Sequence, residues 1–198
     1  MSTVESLDDL MQDELKNIYD AEKQLTKALP KLAKKASNEE LRDALEQHLQ
    51  ETEGHVERLE QIFEQLGMAV RGKKCEGMKH LIDEGNTMIG DADEESTRDA
   101  VMIAAVQKSE HYEIASYGTL RTWANVLGKN EIAAMLEETL EEEKEADRKL
   151  TAIAESFVNQ EAAEEGEGGT SMRGRRGAGA RHAAADRAGR PMTRGRSR

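Results

Sequence analysis

The sequence predicts an all-α protein, an antiparallel four-helix bundle with a short crossover helix. Aromatic residues make up only 3 % of the 198 residues, and the chain has just two prolines. Long stretches are rich in Ala, Leu, Glu, Lys and Gln, a composition that favours helices over strands. Apolar residues also recur every three or four positions along four long segments, as they do on one face of a helix.

The helices are expected at about residues 6–35, 38–66, 75–89, 94–127 and 131–158. Ser37 and Glu40 have the spacing of a capping box at the start of the second helix, which Gly67 ends. Gly128 fits the C-terminal cap of the fourth helix, and Asn130 fits the N-cap of the fifth.

The order of the helices indicates how they assemble. Two short joints make two antiparallel hairpins, and one long connection lets the second hairpin dock on the first. A four-helix bundle with one long crossover is the ferritin-like arrangement. Residues 1–160 are therefore expected to form the bundle domain. Residues 161–198 are rich in Gly, Arg and Ala with little to bury, so this tail is predicted to be disordered.

The net charge of -12 is divided unevenly along the chain. Residues 169–198 contain nine arginines and one acid, a charge of +8, whereas residues 1–168 contain 19 basic and 39 acidic residues, a charge of -20. A basic arm of this kind can bind phosphates without sequence preference, so nucleic acid is one candidate partner of the tail. The alternative is that the tail folds back onto the acidic bundle.

Cysteine content and hydropathy bear on the compartment. Cys75 is the only cysteine, so the chain cannot form an intramolecular disulfide and needs no oxidising compartment. The acidic N-terminus lacks a continuous apolar stretch, and no later segment is apolar enough to span a membrane. We therefore expect a cytoplasmic protein without a membrane partner.

Polar residues interrupt the apolar seam of every long helix near its midpoint. Because antiparallel hairpins bring all four midpoints to one level, these side chains are expected to share one layer of the core. They are Glu22 in the first long helix, His48 and Glu51 in the second, Glu110 and Glu113 in the third, and Glu143 and Asp147 in the fourth.

Such a layer favours metal ions. Burying unpaired charges costs several kcal/mol each, and divalent cations relieve that cost. Carboxylates can bridge two metals, and histidine nitrogen favours iron, manganese or zinc over calcium. Glu22 and Glu51 are 29 residues apart and Glu113 and Glu143 are 30 apart, so the hairpins look like two versions of one unit. This is the layout of di-iron carboxylate bundles, and it predicts two metal ions, iron or alternatively manganese.

The sequence departs from the usual Glu-x-x-His spacing of such bundles in both hairpins. Three residues after Glu51 comes Gly54, and His55 follows at the fourth position. Asp147 stands four residues after Glu143, and the last helix has no histidine. The spacing therefore leaves open whether His48 or His55 is the histidine ligand.

Four segments of the sequence resemble the YciE/YciF family of bacterial stress-associated, ferritin-like proteins. The resemblance covers roughly residues 5–158 and implies a ferritin-like bundle, a dinuclear metal centre and a homodimer. The segments are Tyr19-Asp20-Ala21-Glu22-Lys23-Gln24-Leu25, His48-Leu49 with Glu51-Thr52, Glu110-His111-Tyr112-Glu113-Ile114-Ala115-Ser116-Tyr117-Gly118-Thr119-Leu120, and Thr139-Leu140-Glu141-Glu142-Glu143-Lys144.

Two functions suit such a centre. The first is redox chemistry, in which two reduced irons react with a small oxidant, peroxide or dioxygen. Glu51 and Glu143 would bridge the metals, with Glu22 and Glu110 or Glu113 as terminal ligands and His48 and Asp147 completing the coordination. The second is a structural or interaction protein, whose metal only neutralises buried acids and stabilises the fold.

Overall fold

The computed structural model describes residues 5–164 of the chain. Every regular element in that range is helical, so the predicted all-α fold is confirmed. For the first four helices, the predicted boundaries lie within two residues of the observed ones. The helices are α1 (Leu7–Ala33), α2 (Glu39–Gln65), α3 (Glu76–Asp91), α4 (Glu95–Val126) and α5 (Asn130–Ile153).

The four long helices follow the order α1, α2, α5, α4 around the bundle axis. α1 pairs with α2 and α4 pairs with α5, and the two hairpins meet along α1–α4 and α2–α5. At one end of the bundle, Lys129 Nζ lies 3.2 Å from a carboxylate oxygen of Asp8. At the other end, the backbone amide of Ser37 donates to Asp99 at 3.1 Å. α1 and α4 are therefore antiparallel, as in the predicted ferritin-like bundle.

The crossover helix α3 packs on the outside of the bundle against α4 and α1. A Cβ atom at Gly85 would lie only 2.9 Å from the Cβ of Ala105 on α4, which is closer than such atoms pack. Gly85 therefore allows the backbones of α3 and α4 to approach closely, although glycine weakens the helix itself.

The glycine caps are confirmed. Gly67 and Gly128 have φ angles of 64° and 71°, the left-handed conformation that glycine adopts without a steric penalty. Asn130 is the first residue of α5 rather than its N-cap; Lys129 occupies the cap position and makes no side-chain capping bond.

The predicted capping box of α2 is wrong, because a contact from another helix replaces it. Asn38 is the N-cap, and its side chain accepts a hydrogen bond from the amide of Leu41 at 3.0 Å. The carboxylate of Asp99 on α4 accepts from the amides of Ser37 and Asn38. Glu40 is therefore not needed to satisfy the start of the helix.

The apolar core lies above and below a polar layer at mid-height. At the end near the α1 N-terminus it includes Phe63, whose ring meets the Tyr19 ring edge-on at 5.4 Å between centroids. At the opposite end it includes Leu29 and Leu41. Burial of these side chains stabilises the bundle on both sides and so fixes the height of the polar layer.

The C-terminal helix extends further than predicted. After Ile153 it passes through a π-helical turn, Ala154–Val158, and then continues as α-helix through residue 164. Residues 161–164, assigned to the tail by the sequence, are thus helical. The rest of the predicted tail, and with it the nucleic-acid hypothesis, lies outside the described residues. Among the described helices, none is both long enough and apolar enough to cross a membrane.

Candidate metal centre

The polar layer contains six buried residues, each no more than 4 % exposed, and all four long helices contribute to it. Glu110 and Glu113 lie three positions apart on α4, so they share one face of that helix. The six are Glu22 on α1, His48 and His55 on α2, Glu110 and Glu113 on α4, and Glu143 on α5.

Four of these residues form one group on the His48 side. His48, Glu110, Glu113 and Glu143 each present a nitrogen or oxygen atom, and these atoms all lie within 4.8 Å of one another. His48 Nε2 is 3.0 Å from Glu110 Oε1. One imidazole and three carboxylates at such distances are a suitable ligand set for one divalent transition metal.

A second group lies on the His55 side. Glu22, His55 and Glu143 also place ligand atoms within 4.8 Å of one another. His55 Nδ1 is 3.0 Å from Glu143 Oε1 and 3.5 Å from Glu22 Oε1. Glu143 belongs to both groups, which puts its carboxylate where a ligand shared by two metal ions would lie.

The hydrogen bonding of the layer is incomplete. Within the described part of the chain, ten buried nitrogen and oxygen atoms of these six residues have no hydrogen-bond partner in suitable geometry, although two histidine–glutamate pairs among them approach to 3.0 Å. Both carboxylate oxygens of Glu110, Glu113 and Glu143 are among them. Buried polar groups are rarely left unpaired, because each one loses its hydration without compensation. The donor set of carboxylate oxygens and imidazole nitrogens therefore fits two divalent cations.

Burial and mutual repulsion raise the pKa values of two carboxyl groups in the layer, those of Glu113 and Glu143. Burial, followed by the charges of Glu143, Glu22 and Glu110, raises the pKa of Glu113 well above its usual range. Burial and the charge of Glu110 raise the pKa of Glu143 to about 7, although His55 partly opposes the shift. In the absence of a cation, these carboxyl groups retain protons near neutral pH.

The histidines respond in the complementary way. Burial favours the neutral form of both rings, but the neighbouring carboxylates outweigh it. Glu110 is the main group that raises the pKa of His48, and Glu22 is the main group that raises that of His55, both well above the usual value. Metal ligation requires neutral imidazole and ionised carboxylate, so binding must displace protons from this layer.

Contacts behind the ligand groups orient His55. Its Nε2 lies 3.0 Å from Glu142 Oε2, so Nδ1 faces the centre. Arg58 Nη1 donates to the same Glu142 oxygen at 2.8 Å and to Thr139 at 2.6 Å. The hydrogen bond with His55, together with Arg58, holds the pKa of Glu142 at about 2 against the opposing effect of burial. A carboxylate behind a histidine ligand fixes its ring orientation.

Tyr117 orients Glu22. Its fully buried hydroxyl donates a hydrogen bond to Glu22 Oε1, while Glu22 Oε2 has no partner among the described residues. Burial and the adjacent glutamates raise the pKa of Tyr117, so it remains a neutral donor.

Two of the predicted ligands lie at the edge of the layer. Glu51 has a side chain that is 30 % exposed; its Oε2 is 3.6 Å from His48 Nδ1, and its Oε1 accepts from Gln47 at 2.8 Å. Asp147 accepts from Gln107 at 3.0 Å and lies 3.4 Å from His111 Nε2. Neither belongs to the two groups that surround Glu143.

His55, which the sequence offered only as an alternative to His48, lies in the layer together with it. Helical geometry contains the signal for this. At about 100° per residue, His48 and His55 point within about 20° of each other, whereas Glu51 points about 60° away from His48. The Glu-x-x-His spacing of other di-iron bundles drew attention to Glu51 instead.

Comparison with known proteins connects this geometry to a family. Residues 6–163 match the model of a domain of unknown function, DUF892. The chain belongs to the DUF892 family. It is 48 % identical to the protein YciF of Escherichia coli K12 over 160 residues, which are 80 % of this chain and 96 % of YciF. The resemblance to the YciE/YciF family is thereby confirmed.

Solved structures support the same assignment of the fold. The crystal structure of the E. coli stress protein YciF matches with a TM-score of 0.75 over 79 % of this chain and 99 % of that one, at 48 % identity. YcfI of Rhodopseudomonas palustris matches with a TM-score of 0.74 at 42 % identity, covering 75 % of this chain and 94 % of that one.

A more distant match shows the fold alone. It is a two-domain protein of Anabaena variabilis that contains DJ-1/ThiJ/PfpI-like and ferritin-like domains. The TM-score is 0.51 at 17 % identity, and the match covers 78 % of this chain and 38 % of that chain. The ferritin-like bundle predicted from the order of the helices is thus confirmed.

Proposed function

We propose that the protein binds two divalent transition-metal ions, iron or alternatively manganese, and that the iron-loaded centre reduces peroxide or dioxygen during stress. The observation that carries this proposal is the set of ten buried, unpartnered ligand atoms on four helices. The two groups that share Glu143 support two ions rather than one. The homologous YciF is described as a stress protein, which suits a role in removing an oxidant.

The two groups suggest how the ligands divide. Glu22 and His55 would hold one ion, His48, Glu110 and Glu113 the other, and Glu143 would bridge them. These residues would hold two ferrous ions, which would supply the two electrons needed to convert one hydrogen peroxide and two protons into two water molecules. The chain orients His55 through Glu142 and Glu22 through Tyr117, and it buries the ligand side chains.

Single-turnover oxidation tests the proposal. Protein loaded anaerobically with Fe²⁺ is mixed with hydrogen peroxide, and ferrous loss is followed in the wild type and in Glu143→Gln. Glu141→Gln is the matched control, because Glu141 is exposed and its carboxylate accepts a hydrogen bond from Lys144. We expect two ferrous ions oxidised per peroxide in the wild type and the control, faster than for free Fe²⁺. A rate equal to that of free iron would refute the redox role.

The compartment, the oligomeric state and the small-molecule partner of the protein remain predictions. We expect a cytoplasmic homodimer whose small-molecule partner is peroxide or dioxygen. Should the wild type bind two ions without reacting with either oxidant, the structural alternative replaces the redox one, with the metal acting only to neutralise the buried glutamates.

A further inference from the structure

A cleft between α2, α4 and α5 connects solvent with the His48 side of the polar layer. The cleft is narrow, with a volume of about 30 Å³, close to the space that one water molecule needs, and its lining includes His48, Glu51, Gln47 and Lys149. His48 is only 4 % exposed, and its Nδ1 has no hydrogen-bond partner among the described residues. A buried nitrogen ligand therefore lies at the inner end of this access cleft.

Glu51 joins the access cleft to the centre. Its side chain is 30 % exposed, yet its Oε2 lies 3.6 Å from His48 Nδ1. On the far side of the same ring, His48 Nε2 lies 3.0 Å from Glu110 Oε1. The imidazole thus separates a solvent-accessible carboxylate from a fully buried one, and both carboxylates are within reach of it.

A chain of exposed hydrogen bonds holds Glu51 in the cleft. Lys149 Nζ on α5 donates to Gln47 Oε1 at 2.6 Å, and Gln47 Nε2 donates to Glu51 Oε1 at 2.8 Å. Hydrogen bonds between exposed side chains contribute little net free energy, because water replaces them readily. Glu51 can therefore exchange its hydrogen bond with Gln47 for a metal cation without disturbing the bundle.

The opposite side of the layer is arranged differently. Glu142 approaches His55 much as Glu51 approaches His48, but the Arg58 guanidinium binds Glu142 at 2.8 Å and Glu138 at 2.9 Å. A fixed positive charge at this position repels an approaching divalent cation. On the His48 side, the partly exposed carboxylate of Glu51 lies beside the cleft, and among residues 5–164 it contacts Gln47 and His48 rather than an arginine.

We propose that the access cleft is the route by which divalent cations reach the centre, and that Glu51 captures them there. This inference rests on the proposed metal site. Glu51 binds the incoming ion at the solvent end and transfers it past the His48 ring to Glu110 and the shared Glu143. Glu51 is thus a transit ligand, and it does not remain bound to either ion once the centre is filled.

Stopped-flow loading with Co²⁺ alone tests the route, with cobalt absorbance as the readout. We compare the wild type with Glu51→Gln and with Glu57→Gln, a control at an exposed glutamate of the same helix. Loss of the capturing charge should slow loading of Glu51→Gln about tenfold, the lower range of electrostatic steering. The final number of bound ions should equal that of the wild type, and Glu57→Gln should load at the wild-type rate.

Lys149→Met gives a second, opposite test, since it removes the positive charge at the cleft and frees Gln47; it should load faster than the wild type. Unchanged rates in both cleft variants would overturn the route while leaving the metal site intact. Loss of an ion at equilibrium in Glu51→Gln would overturn the transit role, because Glu51 would then be a permanent ligand. Absence of Co²⁺ binding by the folded wild type would refute the metal site as well.

Discussion

The two sides of the polar layer use the same ligand chemistry but meet solvent in different ways. On the His55 side, Arg58 binds Glu142 and Thr139, and Glu142 in turn approaches the ring. On the His48 side, Glu51 accepts a hydrogen bond from the exposed Gln47 and approaches His48 next to a cleft. His55 is thus held by Glu142 and Arg58 on its outer side, whereas the buried His48 lies at the inner end of a cleft. We infer that the His55 side retains a metal ion and that the His48 side exchanges one.

Removing the one ligand common to both sides should have the largest effect. Glu143→Gln should lower the metal affinity of both groups by more than about 100-fold, beyond the loss typical of residues that only orient a ligand. The metal-free variant should be at least as stable as the wild type at pH 8, because burial destabilises the ionised carboxylate. Isothermal titration with Mn²⁺ and thermal unfolding measure the two effects, with Glu141→Gln as control. Retention of both ions would contradict the bridging position.

The pH dependence of stability should separate the metal-free protein from the loaded one. Glu143 has a pKa of about 7 in the fold against an ordinary value of 4.5, so its protonated form stabilises the fold at low pH. That contribution is lost as pH rises from the lower to the higher value. From about pH 5.5 to 8 the loss is roughly 2 kcal/mol from Glu143 alone, or about 4–8 °C in Tm.

Glu113, His48 and His55 act in the same direction as Glu143, since their pKa values are also raised. Metal binding has the opposite dependence, because it needs the deprotonated ligands. The Tm difference between loaded and metal-free protein should therefore widen as pH rises. Thermal unfolding in buffers of constant ionic strength measures it, and parallel curves would contradict the proposed ligands.

A substitution at Glu142 should lower metal affinity on the His55 side of the layer only. Glu142→Gln replaces the carboxylate that contacts His55 Nε2 with an amide. It should lower the affinity for one of the two ions by about 10–100-fold, the usual effect of losing such a partner. Glu138→Gln is the matched control, because Glu138 also binds Arg58 but has a side chain that is 62 % exposed and lies outside both ligand groups. A two-site titration should show an unchanged affinity for the second ion. An equal loss of affinity for both ions would contradict the distinction between the two sides.

The smallest effect is expected at Asp147. Its carboxylate accepts from Gln107 and lies near His111, outside both ligand groups. Asp147→Asn should therefore change the affinity for either ion by less than about threefold, which is close to the scatter of distant, independent sites. Competition with a chromogenic chelator resolves such a change. A loss of one ion would restore Asp147 as a ligand, as the sequence predicted.

The fold followed from local patterns, and the departures from it come from contacts between helices. The three- and four-residue spacing located the helices, and Gly67 and Gly128 ended two of them as expected. Asn38 replaced Ser37 as the cap because Asp99, 61 positions away from Asn38, accepts hydrogen bonds from both backbone amides. A local capping pattern cannot include such a distant partner.

In the site too, some positions follow from local sequence patterns and others depend on contacts between helices. Glu22, Glu110, Glu113 and Glu143 interrupt apolar seams, and the structure brings all four together in the layer. Glu51 was expected there from spacing along the chain, but its position on α2 directs it toward the edge. The angle of about 60° between Glu51 and His48 around the α2 axis already marks Glu51 as marginal, whereas how near it comes to the centre depends on the packing of the neighbouring helix.

The metal content of protein purified without chelator tests the central claim most directly. Elemental analysis should find about two iron or manganese ions per chain, as expected for a di-metal carboxylate bundle. Glu143→Gln should lose them and Glu141→Gln should keep them. A wild-type protein that is folded, free of metal and unable to bind Fe²⁺ or Mn²⁺ on titration would contradict the claim, and the six buried side chains would then be held by protons alone.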